Sequence, residues 1–388
     1  MARREPRDAL LQHGRYSASM GRRAEIIGGG FAGLAAACAL AQRGWRVRLH
    51  ERADRLRTAG AGINIYENGL RVLEALGALQ ETLADNARHL VRETRDQHDR
   101  LLSSHPWHIR VYGVLRQRMI DALAASARRA GAEIVLNSSG VSASPAGELV
   151  LASGERLSAD LIVAADGVNS SLRDSLGLLR SRRYLPDGAI RVLIPKHDEH
   201  EATDGRTIEY WSGSRRFLYN PCSRGYLYLA LTMLHRDTAA RAVPVEKNLW
   251  QAAFPPLAPL IGRIGDIARY DRFEYIRLKR WSAGHVAVIG DAAHAIPPNI
   301  GQGAGCAMMN ALSLAVFLER GDDIPAQLDA WERAERPLTN HTQRISLLFG
   351  MPAFWPPKLR EVFYRLAARS RWLTAQRTRT ARHVPTGT

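Results

Sequence analysis

The stretch from Ala24 to Glu51 constrains the fold more than any other. A short apolar run, Ala24 to Ile27, leads into Gly28-Gly29-Gly30-Phe31-Ala32-Gly33. An alanine-rich apolar run to Gln42 follows, then a second strand pattern from Trp45 to His50, closed by Glu51. Strand, glycine turn, helix, strand and acid in that order spell a βαβ unit that grips a dinucleotide. Gly28 permits the tight turn, Gly30 lets backbone approach a pyrophosphate, and Gly33 lets helix pack on strand. The helix N-terminus turns its free N–H groups and positive dipole end towards the phosphates. Glu51, 18 residues beyond Gly33, stands where a carboxylate can hold ribose hydroxyls. The candidate cofactor contacts in this unit are Gly28, Gly30, Ala32, Gly33, Glu51 and Arg52. At this point NAD and FAD are both open.

Two later segments narrow the choice. Asp160 to Arg173 reads DLIVAADGVNSSLR, a strand buried on both faces that ends in Asp166-Gly167. From His285 the chain reads HVAVIGDAAHAIPPNIGQGAGCAMMNA. Asp291, at the end of a strand pattern, is suited to accept hydrogen bonds from a polyol such as the ribityl chain of a flavin. The amides of Gly301 to Gly305 open the next helix, where their dipole favours negative charge on a reduced isoalloxazine ring. Asp166, Gly167, Asp291, Gly303, Ala304 and Gly305 join the candidate cofactor contacts. Asp166 and Asp291 have a plainer alternative as turn or cap residues.

The rest of the chain organises around these motifs. Ile63 to Leu79 reads as partly helical, with Leu70, Leu73 and Leu76 on one face, and Arg116 to Ala130 as an amphipathic helix. Between Ile190 and Thr232 four short aromatic-rich strands alternate with turns, and Tyr270 to Leu278 reads as a fifth. They are expected to form the antiparallel floor of a substrate cavity. Trp331 to Thr380 reads as mostly helical. The expected fold class is α/β: a Rossmann-type FAD-binding domain with an inserted antiparallel-sheet substrate domain and a helical C-terminal part. The expected boundaries are a basic, disordered extension at 1–21; a discontinuous FAD-binding domain at 22–80, 110–175 and 281–345; a substrate domain at 81–109 and 176–280; and a C-terminal helical segment at 346–388.

The three motifs, in this order and spacing, resemble the para-hydroxybenzoate-hydroxylase-like class of single-component flavin monooxygenases, also called group A. The resemblance runs from Arg22 to about Arg344 and includes Trp331-Glu332 and Arg336-Pro337. It implies FAD as cofactor, NADH or NADPH as transient co-substrate, and O2. It also implies hydroxylation of an activated aromatic carboxylic acid, such as a hydroxybenzoate or aminohydroxybenzoate, through a flavin C4a-hydroperoxide. Arg116 matches an FAD-contacting arginine of the class, and Pro298 and Gly301 match positions near the reacting flavin ring. Asn310 departs from the class, where most members carry an acid. Within it, RLHERADRLRTAGAGI from Arg48 and NGLRVLEALGAL from Asn68 resemble the oxygenases of hydroxypyridine carboxylates. Ring opening is therefore an alternative outcome, as is a related epoxidase or reductase. In that branch Arg191, Arg216 and Tyr228 match substrate-pocket positions, with Arg216 the expected carboxylate anchor. Its pocket tyrosines are replaced here by Asn64, Arg92 and Phe273. A weak homodimer is what the family implies.

Composition excludes other classes. The net charge is +16, and of the 54 basic residues only Lys196, Lys247, Lys279 and Lys358 are lysines. The arginines are scattered from end to end, unlike a nucleic-acid face with clustered basic and aromatic residues. A positive field of this kind still attracts anionic small molecules. Cys38, Cys222 and Cys306 lack metal-ligand spacing and imply neither metal nor disulfide framework. Arg22-Arg23 before an apolar run superficially matches an export signal. Its glycines fall at fingerprint positions and a second strand follows, so a cytoplasmic protein, free of membrane and nucleic acid, is expected.

Overall fold

The computed structural model describes residues 21–56, 62–198, 201–202 and 204–388, so the basic extension expected before Gly21 lies outside the described residues. Strands β1 (Arg23–Ile27), β2 (Arg46–His50), β3 (Leu161–Ala164) and β4 (Val286–Val288) run parallel in the order β2-β1-β3-β4. Glu133–Val135 extends the sheet beside β2, and Ser282–Ala283 closes it beside β4, antiparallel. β1, β3 and β4 are neighbours, so all three glycine motifs leave the same carboxyl edge of the sheet. In open parallel sheets that edge is where ligands bind.

The helix Phe31–Ala41 is buried at all eleven positions. It is uniformly apolar because it is covered all round, by the sheet and by helices Arg116–Arg129 and Gly303–Leu318. Its alanines leave room for that close cover.

Residues 62–79 depart from the expected helix start. Gly62–Tyr66 is a strand paired antiparallel with Val111–Leu115, and the helix spans Glu67–Ala75. Alternating Ile63 and Ile65 suit a pleated surface, and the partner strand 50 residues on is invisible to local periodicity.

A seven-stranded sheet carries the second half of the architecture. Its order is Arg269–Leu278, Leu179–Pro195, Tyr226–Leu234, Arg215–Pro221, Arg206–Ser212, Val91–Asp96, Leu101–Pro106. All pairs are antiparallel except Arg206–Ser212 with Val91–Asp96, which is parallel. Side chains alternate across it. Ile190, Val192, Phe217, Leu229 and Leu231 face one way, into a core with Trp250, Phe254 and Ile261. The residues between them face the flavin-binding half.

The long helix Ile324–Gly350 ties the halves together. Trp331 donates from Nε1 to the Asn310 carbonyl at 3.1 Å and to Ser313 at 3.0 Å. Glu332 accepts from the Trp281 amide at 2.8 Å, and Arg336 donates to the carbonyls of Leu278 and Lys279. Among the described residues no helix is long and apolar enough to cross a membrane.

Trp250 is fully buried on the far face of the large sheet and stacks on Phe254 with centroids 5.9 Å apart. Trp250→Ala is expected to destabilise the protein by about 3–5 kcal/mol. Cofactor content of the folded fraction should stay unchanged, checked by denaturant melts and flavin absorbance.

Candidate active site

Backbone contact builds the first wall. Gly28 has φ +108°, and a Cβ there would meet the Ala165 carbonyl oxygen at 2.3 Å. A Cβ at Gly33 would stand 1.9 Å from the Gly28 carbonyl oxygen. A Cβ at Gly30 would meet nothing within 4 Å: this glycine faces open space. The Glu51 carboxylate accepts from the amides of Gly29 at 2.7 Å and Ala53 at 3.0 Å, so it is locked at the rim. Ala32 is buried in the first helical turn, and Arg52 is exposed beside Glu51.

The second and third loops complete the cleft. Asp166 has one buried carboxylate oxygen without a partner, and burial pushes its pKa up. Gly167 turns away with its own Cβ direction empty. Arg173, fully buried, donates to the carbonyls of Val168 at 3.1 Å and Ala292 at 3.3 Å, joining the two loops.

Asp291 is open to solvent yet ringed by protein, and desolvation raises its pKa against the pull of Arg116. Arg116 lies 5.0 Å over the Phe31 ring, and its buried Nε has no partner. Burial lowers its pKa, and so does the charge of Arg191. Gly301 is left-handed at φ +66°, and Pro298 starts the turn that precedes it. Helix Gly303–Leu318 begins there with no side-chain cap, so the amides from Gly303 to Gly305 are free to meet a ligand. A Cβ at Gly303 also meets nothing within 4 Å. Unpartnered Arg116 Nε, one unpartnered Asp166 oxygen, and two glycines facing void are what a flavin dinucleotide would fill. The donor set fits FAD.

The large sheet supplies the opposite wall. Arg191, Arg216 and Tyr228 all lie on its flavin-side face, as cross-strand registers require. One row across that face runs Leu193, Tyr228, Asn220, Thr207, Arg92, His105. Asn64 reaches this row from its own strand and accepts from the Asn220 amide at 2.9 Å. Phe273 lies 5.9 Å from the Arg191 guanidinium. Arg191 donates to Asp271 at 3.1 Å. Arg216 is buried, pairs with Asp187 at 3.2 Å and Glu209 at 3.5 Å, and lies over Trp211. A substrate carboxylate would compete there with two resident ones.

The residue that sequence reasoning missed is Asn299, inside the turn Pro298–Ile300. Its side-chain oxygen accepts from Arg216 at 3.0 Å, its NH2 donates to the Ser346 carbonyl at 3.0 Å, and its own carbonyl accepts from Arg377 at 3.4 Å. Ser346 in turn donates to the Pro297 carbonyl at 2.5 Å. Sheet, long helix and C-terminal helix thus all hold one loop. No local signal marks Asn299, because every partner is at least 47 residues away.

Asn310 also finds its place. Its NH2 faces His294 Nε2 at 2.9 Å and Thr339 at 3.1 Å, which requires the imidazole proton to sit on Nδ1. Burial pushes His294 down to about 4. Among the described residues no group of three or more His, Cys, Asp or Glu side chains is arranged to hold a metal.

The family described as "FAD binding domain" matches residues 23–344. The 2-heptyl-3-hydroxy-4(1H)-quinolone synthase of Mycobacteroides abscessus is 41% identical over 358 residues, covering 90% of this chain and 95% of that protein. The solved tetrameric form of 2-methyl-3-hydroxypyridine-5-carboxylic acid oxygenase superposes with a TM-score of 0.84 at 40% identity, covering 94% and 97% of the two chains. The 6-hydroxynicotinate 3-monooxygenase of Pseudomonas fluorescens is 25% identical over 377 residues, covering 84% and 91%.

Two predictions test the site. Gly30→Val adds bulk only where the cofactor would lie, so the apo protein should melt as before while flavin retention is lost. Gly33→Ala should instead cost roughly 1–3 kcal/mol or more by overpacking backbone. Full flavin content in purified Gly30→Val would move the dinucleotide elsewhere. The second concerns pH. His294, near 6.5 when unfolded and about 4 when folded, is neutral in the native state. The unfolded chain then binds its proton first, so stability is full above about pH 6.5 and declines as pH falls towards 4. The loss reaches about 3 kcal/mol. His89 behaves alike, also held near 4 by burial. Denaturant unfolding of the wild type and of His294→Gln between pH 7 and 4 checks this: the variant should show the shallower decline.

Proposed function

The chain belongs to the FAD-binding-domain family and is a FAD-dependent flavoprotein monooxygenase, and we propose that it hydroxylates a neutral, nitrogen-containing aromatic ring of the 4(1H)-quinolone type at the carbon next to the ring carbonyl. One observation carries the choice of a neutral ring. Both arginines that match a carboxylate pocket are already matched by carboxylates, Arg191 by Asp271 and Arg216 by Asp187 and Glu209. Displacing a buried, paired carboxylate leaves a charge without its partner, which typically costs several kcal/mol. A 4(1H)-quinolone needs no such anchor. The similarity to a quinolone synthase over nine-tenths of the chain supports the same reading.

When bound, FAD supplies hydride acceptance from NAD(P)H and activation of O2. The protein does the rest. Gly28, Gly30, Ala32 and Gly33 would admit the pyrophosphate, and Glu51, with Arg52 beside it, would hold the adenosine ribose. Asp166, Gly167 and Arg116 would flank the cofactor, and Asp291 would accept from the ribityl chain. The amides of Gly303, Ala304 and Gly305 favour negative charge at the ring. Pro298 and Gly301 shape the loop against which the ring would rest, and Asn299 fixes that loop to Arg216. Arg216 is therefore a positioning residue here. Arg191 and Tyr228 line the wall facing the substrate.

The ring itself supplies the nucleophile. Nitrogen donates through the enaminone to C3, making that carbon electron-rich, so no side-chain base is required at the reacting carbon. Tyr228 is the polar group suited to orient the ring oxygen and N–H. An aromatic acid remains a second reading for one reason: Arg92, on the same face, has no carboxylate partner among the described residues.

The test is NAD(P)H oxidation by the FAD-loaded protein with 2-heptyl-4(1H)-quinolone, hydroxybenzoates, aminohydroxybenzoates and hydroxynicotinates, with product masses. Stimulation and gain of one oxygen are expected with the quinolone. Stimulation by an acid alone would overturn this proposal in favour of the Arg92 reading, and a gain of two oxygens would indicate ring opening.

A further inference from the structure

Beside the catalytic loop lies a cavity that none of the residues assigned to FAD or to the ring fills. Trp107 and Ile109 form one wall, Phe349 and Leu373 the other, and Arg92 and His105 the inner end. We propose that this cavity receives an apolar tail of the substrate, a chain carried on the ring carbon next to the one hydroxylated; the proposal rests on the quinolone reading.

Three observations carry it. The first is continuity. Arg92 and His105 end the cross-strand row that passes through Tyr228, Asn220 and Thr207. Adjacent strands are about 4.8 Å apart, so the cavity begins roughly 10 Å from Asn220. Thr207 donates to Asn220 at 3.3 Å along the way. The opposite wall touches the catalytic loop, because Arg377 bonds the Asn299 carbonyl. The cavity thus adjoins the end of the ring-wall row and the loop that Arg377 holds.

The second is chemistry. Trp107, Ile109, Phe349, Ala367 and Leu373 give the walls an apolar surface, and of the basic groups among them Arg377 and His105 are turned to other uses. The Arg377 guanidinium lies 4.7 Å over Phe349 and bonds Asn299, leaving its stem to line the space. Burial lowers the His105 pKa, with Arg92 and Arg377 adding to the effect, so the ring is a neutral wall at pH 7.

The third is size. The cavity measures about 60 Å³. That is room for roughly five waters. A methylene is about as large as a water, so a chain of five or so carbons fits, with any further carbon reaching the mouth.

The experiment uses the FAD-loaded protein and 2-alkyl-4(1H)-quinolones with methyl, pentyl, heptyl and nonyl chains. Binding is read from perturbation of the flavin spectrum, and turnover from product mass. Kd should fall about three- to fourfold per methylene until the cavity is full, then level off. Leu373→Trp and, separately, Ala367→Phe fill the cavity from two positions. Each should raise Kd for the heptyl compound to that of the methyl one while methyl turnover is kept. Equal affinity for methyl and heptyl in the unaltered protein overturns the proposal, whatever the variants do. A heptyl advantage that survives both fillings also overturns it. Chain-dependent binding with no oxygenated product would sink the ring reading but sustain the cavity.

Discussion

The structure depends on two backbone approaches at Gly28. Its carbonyl oxygen lies where a Cβ on Gly33 would be, and its own Cβ direction points into the carbonyl of Ala165. With no side chain at either place, the fingerprint helix rests directly on β1 while β3 presses in from the other side. The ladder extends through these contacts: Gly28 donates to His50, Ala165 to Ile27 and Ile289 to Ala164, each between 2.8 and 2.9 Å. Three loops are thereby brought to one edge, their free amides converging on one cleft. A single added carbon at Gly33 would tilt the helix and scatter that convergence.

The electrostatics of the cleft follow from its emptiness of internal partners. Most buried polar atoms are satisfied, yet Arg116 Nε and one Asp166 oxygen are not. Both groups face the space that a large polar cofactor would occupy, so the fold keeps hydrogen-bonding capacity in reserve for it. Between β1 and β2 the same chemistry is self-contained. Glu25, fully buried in β1, is held by Arg48 at 3.0 Å and His50 at 2.8 Å. Burial raises its pKa, but the hydrogen bonds and charges of these partners win, and the net shift is downward. Binding sites and structural sites differ here by whether the protein answers its own charges.

Much of this was legible in the sequence. The βαβ unit, the ends of β3 and β4 and the helix after Gly303 were marked by glycines and continuous apolar runs, which are local signals. The strands of the large sheet between Ile190 and Leu278 showed clear alternation. Gly62–Tyr66 was not, because its stability comes from a strand fifty residues away. Val91–Asp96 was equally hidden: VRETRD has almost no apolar content, since Glu93 and Arg95 pair with each other and Asp96 bonds Arg100. At the site, residue types suggested Arg216, but its partners Asp187, Glu209 and Asn299 are tertiary facts. Under the proposed function those partners give Arg216 the task of holding a loop.

The alternation of the large sheet has a further consequence. Along Leu179–Pro195, Arg215–Pro221 and Tyr226–Leu234, one residue anchors the apolar core around Trp250 and the next faces the substrate wall. The two sets are interleaved in the gene yet separated by the thickness of a strand. Under the proposed function, a single-codon change at Tyr228 can therefore retool ligand preference while Leu229, Phe217 and Ile208 keep the sheet folded. A sheet built this way lets a lineage explore new ring chemistries one position at a time, with its stability carried by the neighbours it leaves alone.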